Sequence, residues 1–271
     1  MLWPLIKKEL FDALRNRWLI LYAVIYAILG LSLSYFSSLG LGYLGFRAFG
    51  RVSAALINMT LYLVPLMAMS LAGLSIIGER ERGTLEVILS QPLSKAEVLL
   101  SKYIGITVSI ALATALGYGA AAWYLWAILS SGDLIIYLKI MATCILLAAT
   151  LTGLGLLIST LSRSRFEALG IILMTWLFLL VIYDLILMGA AIGAQLKWEQ
   201  IFTLLAINPV ESARLLMVHA LDPSLLVLGP TSAYIAKNIG AILPTLLTSS
   251  LIAWTATTLV AALTFFKHQD M

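Results

Sequence analysis

The side chains that could act chemically are concentrated in one block of the sequence, GERERGTLEVILSQPLSKAEVLLSKY, from Gly78 to Tyr103. The chain has 17 basic and 13 acidic side chains, and this block contains eight of them, namely Glu79, Arg80, Glu81, Arg82, Glu86, Lys95, Glu97 and Lys102. Alternating acids and bases form ion pairs and charge-assisted hydrogen bonds, which suits binding to another protein. Long uncharged stretches lie on both sides of the block, so we expect it to be a hydrophilic loop that contacts a soluble partner.

The same block carries local signals for ordered helices. Gly83 and Thr84 begin a helical stretch, TLEVILSQ, that Pro92 ends, and Ser94 with Glu97 forms the pattern of a capping box at the start of the next helix. We expect the first helix to expose its apolar side chains, namely Leu85, Val87, Ile88 and Leu89. A short helix with apolar side chains outside a bilayer needs a partner surface to cover them. The alternative interpretation is a solvated loop of balanced charge.

A second group of polar residues lies in the C-terminal half of the chain. Asp184 is an acid within a long apolar stretch, where ionisable residues usually have a functional role. It lies near one end of that stretch, so a ligand or ion site and a structural acid that bridges helices both stay open. The sequence Asn208-Pro209-Val-Glu211-Ser-Ala-Arg214 predicts a helix that Asn208 caps, with Pro209 at its first position and an ion pair between Glu211 and Arg214.

The sequence contains no catalytic, nucleotide-binding or metal-binding motif. A P-loop requires a Gly-Lys dipeptide, which occurs nowhere in the chain. The match to G-x-G-x-x-G at Gly40–Gly45 lacks the acid about 20 residues later that a dinucleotide site uses. The two histidines, His219 and His268, are expected on opposite sides of a membrane, and the single cysteine is Cys144. We therefore expect no enzyme activity, no cofactor and no metal site.

The composition is that of an all-α membrane protein. Of 271 residues, 62% are hydrophobic and 11% are charged, whereas about a quarter are charged in ordinary soluble domains. A helix of about 20 apolar residues crosses the hydrocarbon layer, and helices satisfy their backbone hydrogen bonds internally. An amphipathic helix over residues 2–17 is expected to lie at the membrane interface. The uncharged stretches predict one transmembrane domain over residues 1–271 with six spans, at about 18–38, 57–78, 104–129, 140–161, 168–191 and 239–266.

The distribution of basic residues predicts the orientation. With a cytoplasmic N-terminus, the inner segments contain eleven of the 17 Lys and Arg residues and the outer loops contain six, and basic residues concentrate on the cytoplasmic side. Both termini and the charged block are therefore expected in the cytoplasm, and the second polar group on the outer side. This bias also explains the net charge of +4, so we expect the lipid bilayer as a partner and no binding of nucleic acid.

The chain resembles permeases of the ABC-2 family of ATP-binding-cassette transporters over essentially its whole length. The resemblance rests on an N-terminal K-K-E-L helix (Lys7–Leu10), on the block Gly78–Ser94 between spans two and three, and on the N-P-x-E-x-x-R element (Asn208–Arg214) before the last span. It implies that residues 83–91 form a coupling helix that docks into a separate cytoplasmic ATPase, and that two permease copies pair with two ATPases. The implied ATPase-coupling residues are Glu79, Arg80, Glu81, Arg82, Gly83, Thr84, Leu85, Glu86 and Pro92.

Within this family the layout is similar to permeases that serve the maturation of nitrous oxide reductase. That similarity implies a role in maturing a periplasmic copper enzyme in a bacterial or archaeal inner membrane, and a periplasmic accessory protein on the outer loops. An exporter of drugs or lipids and a membrane scaffold that transports nothing are the alternatives. In the implied mechanism, movement of the docked helix reaches the spans through a kink at Pro65. Close helix contacts are expected at small residues, namely Gly73, Gly117, Gly119, Gly153 and Gly155.

Overall fold

The computed structural model of the chain describes residues 2–39, 45–129, 134–193, 197–228 and 230–269, and all regular structure within these ranges is helical. The helices in chain order are α1 (Leu2–Leu14), α2 (Arg17–Leu39), α3 (Gly45–Gly73), α4 (Ser75–Glu81), α5 (Thr84–Leu89), α6 (Lys95–Leu129), α7 (Leu134–Leu161), α8 (Arg165–Leu177), α9 (Tyr183–Gly193), α10 (Trp198–Ile207), α11 (Pro209–Leu221), α12 (Pro230–Ile239) and α13 (Leu243–His268). A π-helical turn, Phe178–Ile182, joins α8 to α9, and a 3₁₀ turn, Leu226–Leu228, lies before α12. The predicted all-α class is therefore confirmed for the described residues.

Within the described ranges of the chain, the number of candidate spans lies between five and seven. Five helices are long and apolar enough to cross a membrane, namely Ser53–Glu81, Lys95–Trp123, Ile135–Leu161, Arg165–Ala190 and Leu243–His268. Two further helix pairs pass the same test only in combination, Trp3–Leu14 with Arg17–Ser32 and Trp198–Ile207 with Pro209–Leu221, and they bend by 62° and 111°. These helices make the chain an integral membrane protein. The predicted number of six spans lies within this range and stays a prediction.

Three helices form the centre of the bundle. In the apolar windows of α3, α6 and α7, 56% of the residues are buried, compared with 17% for the span formed by α8 and α9 and 22% for α13. Helix α7 packs against both α3 and α13, and α2 packs against α6. A helix that is apolar on all sides, as α7 is, is expected in the interior of a membrane bundle. The peripheral helices leave side chains such as Leu185 and Met188 exposed, where lipid can contact them.

Hydrogen bonds between side chains join three of these helices. The Thr60 hydroxyl on α3 lies 2.7 Å from the Tyr118 hydroxyl on α6, and it also forms a hydrogen bond with the Tyr26 hydroxyl on α2. All three side chains are buried. Because a buried hydroxyl without a partner costs free energy, these contacts favour one arrangement of α2, α3 and α6.

Close contacts between helices use four of the five glycines that the sequence indicates. A Cβ atom added at Gly155 would lie 2.8 Å from the Met69 carbonyl oxygen, so α7 meets the backbone of α3 at this point. Added Cβ atoms would also collide with side chains of neighbouring helices at three further positions, Gly73, Gly117 and Gly153. The prediction for Gly119 is wrong, because this residue lies on the exposed side of α6 and nothing is within 4 Å of an added Cβ.

The N-terminal helix is shorter than the sequence predicts, and the second long helix is continuous. Helix α1 ends at Leu14 rather than at residue 17, and Arg17 begins α2 after a bend of 62°. The Asn16 side-chain oxygen accepts a hydrogen bond from the Trp18 amide at 2.9 Å, so Asn16 caps α2. Helix α3 is continuous through Pro65. A continuous helix can still bend, so the kink that the sequence predicts at Pro65 stays a prediction.

Candidate functional site

The charged loop, residues 78–94, is ordered by a backbone reversal between two short helices. The backbone reverses at Gly83, whose φ of +70° is one that glycine adopts readily. Helix α5 begins at the next residue, Thr84, and ends at Leu89, shortly before Pro92. The predicted helix is therefore present, although it is shorter than the stretch TLEVILSQ.

A capping box begins the helix that follows the loop. The Ser94 amide donates a hydrogen bond to Glu97 Oε2 at 2.9 Å, and the Glu97 amide donates one to Ser94 Oγ at 3.2 Å. Two amides at the start of α6 are thereby satisfied, as the sequence predicts. The part of the charged loop from Gly83 to Ser94 is thus bounded by a backbone reversal on one side and by a capping box on the other.

Helix α5 has one side that packs against the bundle and one side that is exposed. Leu85 is 1% exposed and lies in the hydrophobic core, so the prediction that it is exposed is wrong. Since α5 packs against α4, the side that carries Leu85 is covered, and only tertiary packing determines which side this is. Val87 is 65% exposed and its neighbour Glu86 is also exposed. Ile88 and Leu89 are half-buried.

Several charged side chains of the loop bind within the chain itself. Arg165, at the start of α8, forms an ion pair with Glu81 at 2.9 Å between Nε and Oε2, and its Nη2 donates to the Gly78 carbonyl at 2.7 Å. Arg80 donates through Nη1 to the Ser162 carbonyl at 3.3 Å. These contacts fix α4 against the turn between α7 and α8. They therefore position the loop before any partner binds.

A buried ionic cluster connects the loop to the N-terminal helix. This Lys102 cluster consists of Lys8 and Glu9 on α1, Glu79 on α4 and Lys102 on α6. Lys102 is 1% exposed, and its Nζ lies 2.7 Å from Glu79 Oε1 and 3.2 Å from both carboxylate oxygens of Glu9. Lys8 Nζ lies 3.2 Å from Glu9 Oε1 and 3.6 Å from Glu79 Oε1. The two acids balance the two bases. Lys102 is buried between Glu9 and Glu79, so its charge has to be paired, whereas the Lys8 side chain is 45% exposed.

Local sequence pattern does not predict the Lys102 cluster. By pattern alone, Lys102 and Glu79 belong to the hydrophilic block, and Glu9 belongs to the K-K-E-L motif. A signal was nevertheless present, because Glu9 lies at helical spacing between Ile6 and Ala13, on the apolar side of α1. An acid on the packed side of a helix needs a buried partner, and only the fold shows that Lys102 is that partner.

The outer polar residues of the sequence analysis lie together where α9, α10 and α11 meet. Pro209 is the first residue of α11, and Asn208 caps this helix by accepting a hydrogen bond from the Val210 amide at 2.9 Å. Arg214 Nη1 lies 3.0 Å from Glu211 Oε1. The cap and the ion pair that the local sequence predicts are therefore both present.

The structure adds an ion pair that local spacing could not reveal. Arg214 Nη1 also lies 3.1 Å from Asp184 Oδ2 on α9. We call Asp184, Glu211 and Arg214 the Arg214 cluster. Glu211 is buried, whereas the side chains of Arg214 and Asp184 are 22% and 32% exposed. One guanidinium therefore holds two carboxylates from different helices, and without it the two acids would repel each other.

The π-helical turn Phe178–Ile182 contacts the same group of residues. Asn208 Nδ2 donates to the Leu179 carbonyl in this turn at 2.7 Å, and the Tyr183 hydroxyl donates to the Leu204 carbonyl on α10 at 2.6 Å. A π-helical turn is a local irregularity that often lies at a functional site. Together with the Arg214 cluster, these bonds hold the bent pair α10–α11 against the span formed by α8 and α9.

Neither cluster has the composition of a metal site. In the ranges that the structure describes, no group of three or more His, Cys, Asp and Glu residues could hold a metal ion. Cys144 is buried within α7. The chemistry of both clusters is therefore ion pairing and hydrogen bonding between helices.

Comparison with known proteins identifies the class of membrane protein to which these features belong. The family described as "ABC-2 family transporter protein" matches residues 3–271, so the chain belongs to the ABC-2 family of transporter proteins. A protein of Pseudomonas aeruginosa named "Probable ABC transporter permease protein NosY" is 32% identical over 226 aligned residues, which cover 81% of this chain and 82% of that protein. A protein of Stutzerimonas stutzeri with the same name is 29% identical over an alignment of 276 positions, which covers 98% of each chain.

Replacement of Arg214 tests the ionic contacts of the outer cluster. Arg214→Met leaves Asp184 and Glu211 close together without a cation, so the chain should lose stability. Glu211→Gln in the same chain removes one acid and should recover part of that loss. We expect a coupling free energy of about 0.5–3 kcal/mol between the two substitutions, measured by unfolding of the purified protein in detergent.

Lys139→Met is the matched control for this measurement, because Lys139 is an exposed base. It should leave the free energy of unfolding unchanged. Strictly additive effects of Arg214→Met and Glu211→Gln would contradict the shared-cation arrangement.

Proposed function

We propose that this chain is the permease subunit of an ATP-binding-cassette transporter and that α5 is the coupling helix that docks into a separate cytoplasmic ATPase. Membership of the ABC-2 family supports the ATPase partner. The observation that carries the docking assignment is the two-sided character of α5: Leu85 is buried in the bundle, while Glu86 and Val87 are exposed. An apolar side chain beside an acid on a rigid short helix suits docking into a groove of another protein.

The nine predicted coupling residues divide into two groups, according to whether they are exposed or support α5 by burial or by contacts with distant segments; Glu81 is exposed but belongs to the second group because it pairs with Arg165. In this proposal, the first group is exposed and either binds the ATPase or shapes the surface for it. It consists of Arg82, Gly83, Thr84, Glu86 and Pro92. The others support α5 from within the chain, namely Glu79, Arg80, Glu81 and Leu85. Substitution of the second group would disturb the fold of the permease as well as the partner contact.

We also propose six spans in a single domain over residues 1–271, with both termini in the cytoplasm and the chain in the inner membrane of a bacterium or archaeon. Contacts within the structure support this orientation, because basic segments meet at one end of the bundle. Arg165 pairs with Glu81, and Lys95 Nζ lies 3.3 Å from the Lys267 carbonyl near the C-terminus. Basic residues gathered at one end of a membrane bundle mark the cytoplasmic side.

Two copies of the permease with two ATPases are the proposed assembly. The span formed by α8 and α9 is the least buried of the five long spans, at 17%. Its apolar side chains can therefore be covered by a second copy of the chain, as the resemblance to ABC-2 permeases implies.

Val87→Glu tests the docking assignment. The substitution places a second acid beside Glu86 on the exposed side of α5, where it should weaken binding of the ATPase without changing the packed side. We expect the amount of ATPase that co-purifies with the permease to fall about tenfold or more, which corresponds to a loss of about 1.4 kcal/mol in binding.

Leu226→Glu is the matched control, since Leu226 is 68% exposed and lies on the proposed outer side. This variant should retain the ATPase. Equal recovery of the ATPase with native chain and with Val87→Glu would remove α5 from the interface.

We propose further that the transporter serves the maturation of a periplasmic copper enzyme, nitrous oxide reductase. The similarity in layout to permeases of that system and the name of the two relatives support this role. A periplasmic accessory protein would contact the outer side, where the Arg214 cluster and the Asn208-Pro209 cap hold α10 and α11 in place. These residues would then position the surface for that partner.

Deletion of the gene that encodes this chain in its host tests the proposed role in maturation of nitrous oxide reductase. We expect nitrous oxide reductase to accumulate without its copper, and expression of the native chain, but not of Val87→Glu, to restore the copper content. Leu226→Glu again serves as the control and should restore it. Full copper content in the deletion strain would contradict the maturation role and favour an exporter of drugs or lipids. Restoration with a catalytically inactive ATPase would favour a scaffold.

A further inference from the structure

We propose that Lys102 is a positioning residue that joins α1 to the charged loop, so that displacement of the loop moves α1 along the membrane surface. This inference rests on the proposed docking of an ATPase to α5, because that partner supplies the displacement. It assigns a moving part to a helix whose sequence indicates only an interfacial anchor.

Helix α1 rests directly on one face of α6. A Cβ atom added at Gly105 would lie 2.7 Å from Glu9 Cβ and 3.0 Å from the Leu10 amide nitrogen. Ser109 Oγ, about one turn further, donates to the Leu10 carbonyl at 3.4 Å. Lys102, Gly105 and Ser109 follow one another at spacings of three and four, so they share one face of the helix. This face is the surface against which α1 packs.

Lys102 extends that surface to the charged loop. Its Nζ lies 2.7 Å from Glu79 Oε1 on α4 and 3.2 Å from each oxygen of Glu9 on α1. Without the ammonium group, two carboxylates would lie close together with little access to water, which costs free energy. The Lys102 side chain therefore holds α1, α4 and α6 together at one point.

The connection from α4 to the docking helix is short. Glu79 lies within α4, which ends at Glu81, and α5 begins at Thr84. A force that a partner applies to α5 therefore acts on α4 and reaches α1 mainly through the buried Glu79–Lys102–Glu9 contact. The direct pair of Lys8 with Glu79 is longer, at 3.6 Å, and its Lys8 side chain is 45% exposed, so it transmits less of the force. Arg165 holds Glu81 from the other side, so the same force is also transmitted to α8.

The exposed side of α1 is suited to movement at the bilayer surface. Trp3 is 74% exposed, Phe11 is 49% exposed, and the exposed base Lys7 lies between them at helical spacing. Aromatic and basic side chains in this arrangement contact the headgroup region. Movement of α1 therefore changes contacts with lipid on the cytoplasmic side.

Hydrogen–deuterium exchange of the purified permease–ATPase complex tests the inference. Exchange is measured without nucleotide and in complex trapped with ATP and vanadate. In the native complex, we expect trapping to change amide exchange in peptides from α1 and from the charged loop together. With Lys102→Met, the loop should still respond, whereas the change in α1 should fall about fivefold or more, a factor within the range of coupling between linked sites.

Three further variants separate transmission from simple loss of structure. Lys102→Arg keeps the cation and should retain most of the response in α1. Lys139→Met removes an exposed charge from α7 and should behave as the native chain. If Lys102→Met does not fold, the pair Glu79→Gln with Lys102→Met leaves Glu9 with Lys8 and no unpaired buried charge, and the same loss of response in α1 is expected.

The outcomes distinguish this inference from the proposed docking. If the ATPase co-purifies and α1 does not respond to nucleotide, or responds equally in the native chain and the Lys102 variants, the inference is overturned. If no ATPase co-purifies with the native chain, the docking proposal fails, and exchange without nucleotide decides the inference. Faster exchange of α1 in the Glu79→Gln, Lys102→Met chain than in Lys139→Met then supports the joining role of Lys102, and equal exchange contradicts it.

Discussion

Burial of the Lys102 ammonium group between two carboxylates determines how one end of the helix bundle, the end that carries the charged loop, is arranged. Nζ lies 2.7 Å from Glu79 and 3.2 Å from Glu9, and the side chain is 1% exposed. A charge removed from water must be paired with good geometry, so α1, α4 and α6 have to meet at this point. Helix α5 follows from α4 through the reversal at Gly83. The surface proposed for the ATPase therefore depends on an ion pair that is buried behind it.

The end of the bundle that carries the Arg214 cluster is built on the same principle with different residues. Arg214 holds Asp184 and Glu211, which come from different helices, as Lys102 holds Glu9 and Glu79. Between the two ends, the central helices are joined by uncharged groups such as Thr60 and Tyr118. This distribution suits a bilayer, because paired charges are tolerated near the interfaces and are expensive at the centre. The chain thus has two rigid ends connected by apolar helices.

The sequence predicts the features that depend on neighbouring residues. The helix after Gly83, the Ser94–Glu97 box, the break at Asn208-Pro209 and the Glu211–Arg214 pair all involve residues within a few positions of each other, and all are present. Such features follow from backbone hydrogen bonds and helical spacing. Local pattern is therefore sufficient for these four features, whereas the Asn16 cap of α2 lies where the pattern predicts a helix that continues to residue 17.

The features that depend on tertiary packing could not be predicted in the same way. Leu85 is buried although its helix lies outside the long spans, because α4 and the bundle cover one side of α5. The partners of Asp184 and Glu9 lie on distant segments of the chain, and a single sequence carries no distance between them. Gly119 has the same residue type as Gly117, yet only Gly117 faces another helix. In each case the residue type suggests an interaction, but the sequence does not show which neighbouring segment the residue faces.

We propose that the ATPase acts on the exposed side of α5. A photo-crosslink from position 87 gives the most direct test of this contact. With p-benzoylphenylalanine at position 87 in native membranes, we expect a covalent product between the permease and an ABC ATPase subunit. The same probe at Leu226, which is also exposed, should give no such product. Crosslinks from position 87 only to lipid, or to a protein on the periplasmic side, would contradict the account.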